Sequence, residues 1–404
     1  MESGRTGLLL FSPSTHALNG VAPPSFMTPT KPIWIVSAKR TVQGRFLGAL
    51  SKCSAVELGV AASKAAMRDL DPAWIDGVVV GNVLSSGNGM NIARQIGIHA
   101  GVPPHTPAYT VNMMCASGMH AVILAAQAIQ NGDASMVLCG GTESMSGAPF
   151  LLERARSGYK YGDGILVDSV LRDGLTDAFS RDHMGLLAER IATQYGIDRE
   201  AQDAFAFNSH KRYAAASAAG NFKDEFVSVD KLTTDEHARS DTTLGGLAAL
   251  KPAFKPEGSI TAGNSSGIND GAAMLVICDE THGRKYGLNP MMIISRSAVV
   301  GCDPALMGMG PVHATRKVTN GNSETYDAIE LNEAFAAQAL ACMRELGFDE
   351  AKVNPDGGAI ALGHPIGASG ARLLVHLAHR RPKRGLATLC VGGGMGYAVV
   401  LEQP

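Results

Sequence analysis

The strongest constraint on the fold is a strand–turn–helix pattern that occurs twice in the chain. Each copy starts with Val-Asn; one passes Cys115 into a helical stretch over 116–130, the other passes His364 into one over 367–379. Both helical stretches carry apolar or small residues on most faces, which is typical of buried helices. Burying two such helices requires layers of structure on both sides of them. We infer a duplicated α/β unit with two central helices that start near each other.

Strand-like and helix-like runs alternate through most of the remaining sequence. The pattern predicts strands at 33–37, 77–83, 109–113, 136–139, 291–300, 327–331, 352–354, 386–390 and 397–401. It predicts further helices at 54–70, with Ser54 as N-cap, and at 91–100 and 334–346. Such alternation favours a mostly parallel sheet that is covered by helices.

The alternation is interrupted in the middle of the chain, which divides the sequence into four segments. Residues 1–31 are predicted to be a disordered extension or a cloning remnant, with Met27 a plausible native start. One half comprises 32–144 together with 270–287, and the other comprises 288–404. The polar insertion over 145–269 includes a charged helix predicted at 185–217 and is expected to form a functional subdomain.

Composition excludes several classes of function. The formal charge is −2 and there is no basic tract, so neither nucleic acid nor an anionic membrane surface is expected as a partner. No apolar run approaches the ~20 residues of a membrane span. The seven cysteines are scattered without zinc-ligand spacing, so no metal site is expected. Free thiols indicate a reducing compartment, and we expect the cytoplasm.

Cys115 and His364 are candidate catalytic residues because both stand in turns before predicted buried helices. A helix N-terminus favours a thiolate, so Cys115 could be a nucleophile; the alternative is a buried structural cysteine. His364 lies between glycine and proline, which would hold it rigidly as a base; the alternative is a loop histidine that caps a helix.

Cys390 and Asn332 are further candidates at the ends of predicted strands. Cys390 precedes three glycines, of which Gly392 is the first, whose N–H groups could bind an oxyanion. The alternative is a core cysteine beside a flexible hairpin. Asn332 could hold a water molecule that faces a carbonyl oxygen, or it could simply be a helix N-cap.

Four motifs in a fixed order make this sequence resemble the thiolase family. They are VNMMCASGM around Cys115, NEAF from Asn332, GHPIGASGAR around His364 and CVGGGMG from Cys390. The stretches GGTESMSGAP, DGLTDAF, HMG and ITAGNSSGINDGAA resemble the biosynthetic type, the acetyl-CoA acetyltransferases. The resemblance covers nearly the whole chain outside the N-terminal extension.

The resemblance implies both a fold and a reaction. The fold would be the α/β thiolase fold, with two pseudo-symmetric βαβαβαββ halves in a five-layered α-β-α-β-α arrangement and an inserted loop domain that covers coenzyme A. The reaction would be reversible Claisen condensation of two acetyl-CoA to acetoacetyl-CoA and CoA through an acetyl-cysteine. These thioesters are substrates, and no cofactor is implied. The family forms dimers that often pair into tetramers, so a homodimer or homotetramer is expected.

The resemblance also assigns roles to individual residues. Cys115 resembles the nucleophile, His364 the base that activates it, and Cys390 the acid/base that acts on the α-carbon. Asn332 would hold a water in one oxyanion site together with His364, and the N–H groups of Cys115 and Gly392 would form the other. The positions that match the pantetheine and acyl pocket are Leu175, His183, Met184, Phe254, Ala262, Ser266, Met307 and Phe335.

One segment departs from the family pattern, and three other functions compete. The basic segment that usually follows the FKDE-V stretch is shortened between Val227 and Arg239, so the contacts to the 3′-phosphate of the coenzyme are expected to differ, with Lys231 and Arg239 as candidates. The nearest rival is a broader-chain 3-ketoacyl-CoA thiolase of fatty acid β-oxidation. A decarboxylating ketoacyl synthase would not need Cys390. An inactive CoA- or lipid-binding relative would not need all four of the catalytic candidates Cys115, Asn332, His364 and Cys390.

Overall fold

The structure, a computed structural model, describes residues 26–322 and 324–404, and the predicted extension over 1–25 lies outside them. The strands are β1 (Ile33–Thr41), β2 (Gly44–Arg45), β3 (Gly77–Gly81), β4 (Ala108–Val111), β5 (Met136–Ser144), β6 (Phe150–Leu151), β7 (Val167–Asp168), β8 (Phe226–Val227), β9 (Asn269–Asp279), β10 (Met292–Gly301), β11 (Ala328–Leu331), β12 (Arg384–Val391) and β13 (Met395–Glu402). The α-helices are α1 (Ala55–Ala66), α2 (Ile92–Ala100), α3 (Ser117–Asn131), α4 (Met184–Gln194), α5 (Arg199–Ala218), α6 (Leu244–Ala248), α7 (Glu280–Lys285), α8 (Gly310–Val318), α9 (Ala336–Leu346), α10 (Ala359–Leu362) and α11 (Ile366–Arg380).

The strand order shows the duplication inferred from sequence. In the N-terminal half, β4, β3 and β5 are parallel neighbours, and β9 and β1 continue the sheet antiparallel. In the C-terminal half, β11 and β12 are parallel, and β13 and β10 continue antiparallel. The place of β4 is taken by Val353, which forms a single parallel bridge to Ile329. The strand predicted at 352–354 is therefore wrong in extent, because Glu350–Lys352 forms a 3₁₀ turn.

The two half-sheets enclose α3 and α11, and this confirms the predicted five layers. One apolar cluster joins the inner faces of both half-sheets to these two helices. A second cluster packs α1 and α2 on the outside of the N-terminal half-sheet, and a third packs α8 and α9 on the outside of the C-terminal one. The half-sheets meet where β1 pairs with β10. Within the described residues, no helix has the length and apolar character required to cross a membrane.

Close packing of glycines brings the starts of α3 and α11 together. A Cβ atom added to Gly118 would lie 2.9 Å from the carbonyl oxygen of Gly367, and one added to Gly141 would lie 2.0 Å from the same atom. A side chain at Gly118 would push α11 away from α3, and one at Gly141, which lies on β5, would push α11 away from the sheet, since both separations are inside van der Waals contact. The residues just before both helices, which include Cys115 and His364, therefore approach each other.

Three local expectations can be compared with the structure. Ser54 caps α1 as predicted: its Oγ accepts from the N–H of Glu57, whose carboxylate accepts from the N–H of Ser54. The single helix predicted over 185–217 is wrong, because Gly196 adopts a φ of 58° and Asp198 caps a new helix. At the end of the predicted extension, Thr30 and Lys31 hydrogen-bond to Gln130.

Candidate active site

Cys115 lies in a tight turn between β4 and α3. The preceding residue, Met114, has a φ of 47°, an unusual conformation for a residue other than glycine. Two side chains hold the turn: Asn112 Oδ1 accepts from Met114 N at 2.9 Å, and Ser117 Oγ accepts from Met113 N at 2.8 Å. The strained backbone is thus fixed by hydrogen bonds, and it places the thiol at the entrance to α3.

The environment of the Cys115 sulfur differs from the simple expectation of a thiolate. Burial raises the pKa of the thiol to about 11, while the N–H groups of Gly392 and of Cys115 itself, directed at the sulfur, act in the opposite direction. The helix start favours a thiolate, but desolvation outweighs that effect. Cys115 is a neutral thiol that needs a base, and two N–H donors converge where it would react.

His364 is held by hydrogen bonds on both its backbone and its ring. Gly363 has a φ of 105°, and the N–H of His364 donates to Asn269 Oδ1 at 2.9 Å. The ring Nδ1 lies 2.6 Å from Ser369 Oγ on the first turn of α11. Burial, and then the positive charge of Arg372, lower the pKa of His364 to about 4. The imidazole is therefore neutral near pH 7 and can accept a proton.

Cys390 is the next-to-last residue of β12 and is 1% exposed. After Gly392, Gly393 and Gly394 have φ values of 85° and 84°, which turn the chain tightly into β13. Burial, followed by proximity to Cys115, raises the pKa of the Cys390 thiol well above its ordinary value. The glycine turn thus presents a second neutral thiol close to the first.

Asn332 follows β11 and is completely buried. Neither its side-chain oxygen nor its side-chain nitrogen has a hydrogen-bond partner among the described residues. The helix-cap alternative is wrong, because α9 starts at Ala336 after Phe335, and no side chain caps it. A buried amide without hydrogen-bond partners destabilises the folded protein unless water or a ligand supplies the partners. Asn332 is therefore suited to holding a water molecule.

A cavity of about 350 Å³ contains nearly all of the predicted site residues. Its lining includes Cys115, Leu175, His183, Met184, Phe254, Ala262, Ser266, Met307, Phe335, His364, Cys390 and Gly392. Among the residues predicted for catalysis and for the pantetheine and acyl pocket, only Asn332 does not line it. His183 stacks on Phe254 with ring centroids 4.7 Å apart, and Phe254 meets Phe335 edge to face. The insertion thus supplies an aromatic wall, and both halves supply the reactive groups.

Three basic residues of the shortened segment can be placed relative to the cavity, and one of them was not predicted from the sequence. Arg239 lines the cavity and two adjoining surface depressions, whereas Lys231 lines none of them. His237, which sequence reasoning did not select, accompanies Arg239 in all three. Burial, and then the Arg239 charge, lower the pKa of His237 to about 4. His237 stands in the irregular shortened segment, where no periodicity indicates which side chains face inward.

Two family profiles together match most of the chain. The profile of the thiolase N-terminal domain matches residues 33–281, and that of the thiolase C-terminal domain matches residues 288–403. Among curated relatives, the acetyl-CoA acetyltransferase of Chromobacterium violaceum is 50% identical over 92% of this chain and 99% of its own length. The acetyl-CoA acetyltransferase of Escherichia coli is also 50% identical, over 91% of this chain and 98% of its own length.

A solved structure extends the comparison to three dimensions. Human mitochondrial 3-ketoacyl-CoA thiolase in complex with CoA superposes with a TM-score of 0.91 at 41% sequence identity, covering 94% of this chain and 100% of its own. At this similarity, the two proteins share the same fold.

Proposed function

This chain belongs to the thiolase family, and from that premise we propose how its cavity performs acyl transfer. The chain is an acyltransferase that catalyses the reversible Claisen condensation of two acetyl-CoA to acetoacetyl-CoA and CoA. One observation carries the proposed mechanism. A thiol beneath two N–H groups, a neutral imidazole and a second thiol line a single cavity.

In the first step, Cys115 takes the acetyl group. His364 accepts the thiol proton while the sulfur attacks the carbonyl carbon of acetyl-CoA. The oxyanion of the tetrahedral intermediate is stabilised by N–H donors, and its collapse breaks the bond to the coenzyme sulfur. The leaving thiolate takes the proton back from His364. Because His364 is neutral and Cys115 is protonated beforehand, this transfer needs no charged group in the resting site.

In the second step, Cys390 acts on the α-carbon of the second acetyl-CoA. Cys390 first gives its thiol proton to His364, and the thiolate then removes an α-proton. The resulting enolate attacks the acetyl-cysteine and releases the Cys115 thiolate, which takes the proton from His364. Thiolysis is the reverse, in which the Cys390 thiol protonates the departing carbanion. An α-proton of a thioester is a very weak acid, so the enolate oxygen must be stabilised as it forms. Each donor in such a site contributes about 3–4 kcal/mol.

Two separate groups of donors would serve the two oxyanions. The N–H groups of Cys115 and Gly392 already point at the sulfur, so they lie next to the carbon that the sulfur would attack. Neither amide atom of the buried Asn332 has a hydrogen-bond partner within the described part of the chain, and this side chain would hold a water that shares the second oxyanion with His364. All acid–base groups and donors are thus protein atoms or water, so the proposed reaction needs no metal or other cofactor.

The experiment that tests the proposed function follows the magnesium–enolate absorbance of acetoacetyl-CoA. The purified chain is expected to consume acetoacetyl-CoA only when CoA is present and to form acetyl-CoA. Loss of the absorbance without CoA would indicate hydrolysis instead. No consumption in either case would exclude thiolysis and favour an inactive binding protein.

The second candidate function is that of a broader-chain 3-ketoacyl-CoA thiolase, because the chain shares its fold with the human mitochondrial enzyme of that name. Selectivity for the length of the acyl chain distinguishes the two functions. Met184, Met307 and Phe335 are buried and pack in one cluster with Cys390 at the cavity wall. Overpacking costs ~1–3 kcal/mol, so kcat/KM for 3-ketodecanoyl-CoA should be about 10- to 100-fold below that for acetoacetyl-CoA.

Met307→Ala should reduce the difference in kcat/KM between 3-ketodecanoyl-CoA and acetoacetyl-CoA, with a smaller effect on acetoacetyl-CoA turnover. Thiolysis kinetics across a ladder of 3-ketoacyl-CoA lengths provide the measurement, with Met343→Ala as a matched methionine outside the cavity lining. Equal kcat/KM for the two substrates in the unaltered chain would favour the degradative type.

Arg239 is expected to bind the 3′-phosphate of coenzyme A, whereas Lys231 is not. Loss of a charge-assisted contact of this kind costs ~1.5–3 kcal/mol, so Arg239→Ala should raise KM for acetoacetyl-CoA about 10-fold or more. The same variant should leave KM for the 3′-dephospho substrate unchanged. Lys231→Ala is the matched control with wild-type values for both. An equal loss on both substrates would show that Arg239 does not recognise this phosphate.

We expect the chain to act as a homodimer or homotetramer in the cytoplasm. The segment from β6 to the start of α4 exposes several large apolar side chains, namely Phe150, Tyr161, Ile165, Leu166 and Phe179. Exposed apolar clusters of this kind are typical of protein–protein contacts. All seven cysteines are free, which suits a reducing compartment.

A further inference from the structure

Glu143 is a buried carboxylate that the mechanism above leaves unused. It stands near the end of β5 and is 0% exposed. Within the described residues, its oxygens contact four N–H groups and no lysine or arginine. A buried charge without a cation is costly, so its presence this close to a reactive thiol calls for a physical reason.

The four donors identify the groups that the carboxylate holds. They are Asn82 Nδ2 at 2.7 Å, Val83 N at 3.0 Å, Leu84 N at 3.2 Å and Gly367 N at 3.0 Å. An ionised carboxylate is the form that accepts from all of them. Burial raises the pKa of Glu143 to about 7, and the donors oppose that rise. Above neutral pH the group therefore carries its charge.

These donors come from both halves of the molecule, next to the two catalytic residues. Val83 and Leu84 follow β3 and pack in one apolar cluster with Cys115 and Ile366. Gly367 is the second residue of α11 and follows His364 by three positions. One carboxylate therefore fixes the loop that packs on Cys115 and the helix start that follows His364.

We propose that Glu143 is a positioning residue that holds the Cys115 loop and the His364 turn in register across the two halves, with its negative charge acting on the Cys115 thiol. The role rests on the proposed acyl transfer at Cys115. The charge lies close enough to oppose ionisation of that thiol, since a nearby like charge disfavours the thiolate. Position and charge have separate consequences, so two variants can distinguish them.

The experiment compares Glu143→Gln and Glu143→Asp in the full chain. Glu143→Gln removes the charge and replaces one acceptor with a donor. It should lower kcat for thiolysis about 10-fold or more with KM within about 3-fold, because misplaced catalytic groups impair the transition state more than binding. Iodoacetamide alkylation of Cys115 as a function of pH should shift to lower pH. Glu143→Asp keeps the negative charge, but its shorter side chain moves the carboxylate away from the four donors. The value of kcat should therefore fall, while the alkylation profile of Cys115 stays that of wild type.

The matched control is Asp76→Asn, which changes a carboxylate that accepts from Ser135 N and Met136 N at the opposite end of β3 and β5. It should leave kcat and alkylation unchanged. Wild-type kcat in either Glu143 variant, or an unshifted alkylation profile in Glu143→Gln, would overturn the proposal. If Glu143→Gln does not fold, kcat of Glu143→Asp tests the positioning role, and a wild-type value would overturn it. If wild type fails to transfer acetyl groups, the proposed function fails, whereas alkylation still tests the charge.

Discussion

Cys115→Ala is expected to lose thiolase activity by at least about 10⁴-fold, because the thiol that takes the acetyl group beside the two N–H donors is removed. Alanine keeps a small side chain at the entrance to α3, so the turn held by Asn112 and Ser117 should persist. Intact mass spectrometry after incubation with acetyl-CoA should show one acetyl group on the wild-type chain and none on the variant.

The matched control for this prediction is Cys53→Ala, which removes a partly buried thiol that does not line the cavity. It should retain activity and accept one acetyl group. Circular dichroism and the melting temperature of Cys115→Ala establish that it is folded. An acetyl adduct that survives in folded Cys115→Ala would place the nucleophile elsewhere.

Cys390→Ala is expected to separate the two steps of the reaction. Cys115 should still become acetylated, because the imidazole of His364 and the two N–H donors remain. Condensation and exchange of the α-protons of acetyl-CoA with deuterium should fall by about 10³-fold or more, since the acid/base at the α-carbon is gone. Mass spectrometry of acetyl-CoA in D₂O follows the exchange. Wild-type exchange in this variant would remove Cys390 from the second step.

Much of the fold could be predicted because the two central helices are uniform in character. Apolar and small residues on most faces of the α3 and α11 sequences indicate burial without knowledge of their partners. The cavity residues could be named only through the resemblance. Nothing in the spacing of Leu175, Phe254 and Met307 along the chain indicates that they share a wall.

The missed features depend on interactions between residues that are distant in sequence. The high pKa of the Cys115 thiol results from burial by both halves, which a helix-dipole argument ignores. Val353 forms only a bridge because the chain turns at Asn354, whose φ is 44°. Glu143 is linked to Gly367, 224 positions away, through a backbone N–H that no residue type reveals.

The central claim is that the acetyl group passes through Cys115 during turnover. The most direct measurement is peptide mapping of wild-type chain that is acid-quenched while it converts acetoacetyl-CoA and CoA to acetyl-CoA. We predict an acetyl thioester on the peptide that contains Cys115, formed and lost at rates no slower than kcat. Turnover with no acetylated peptide, or with the acetyl group on a peptide that lacks Cys115, would contradict the mechanism.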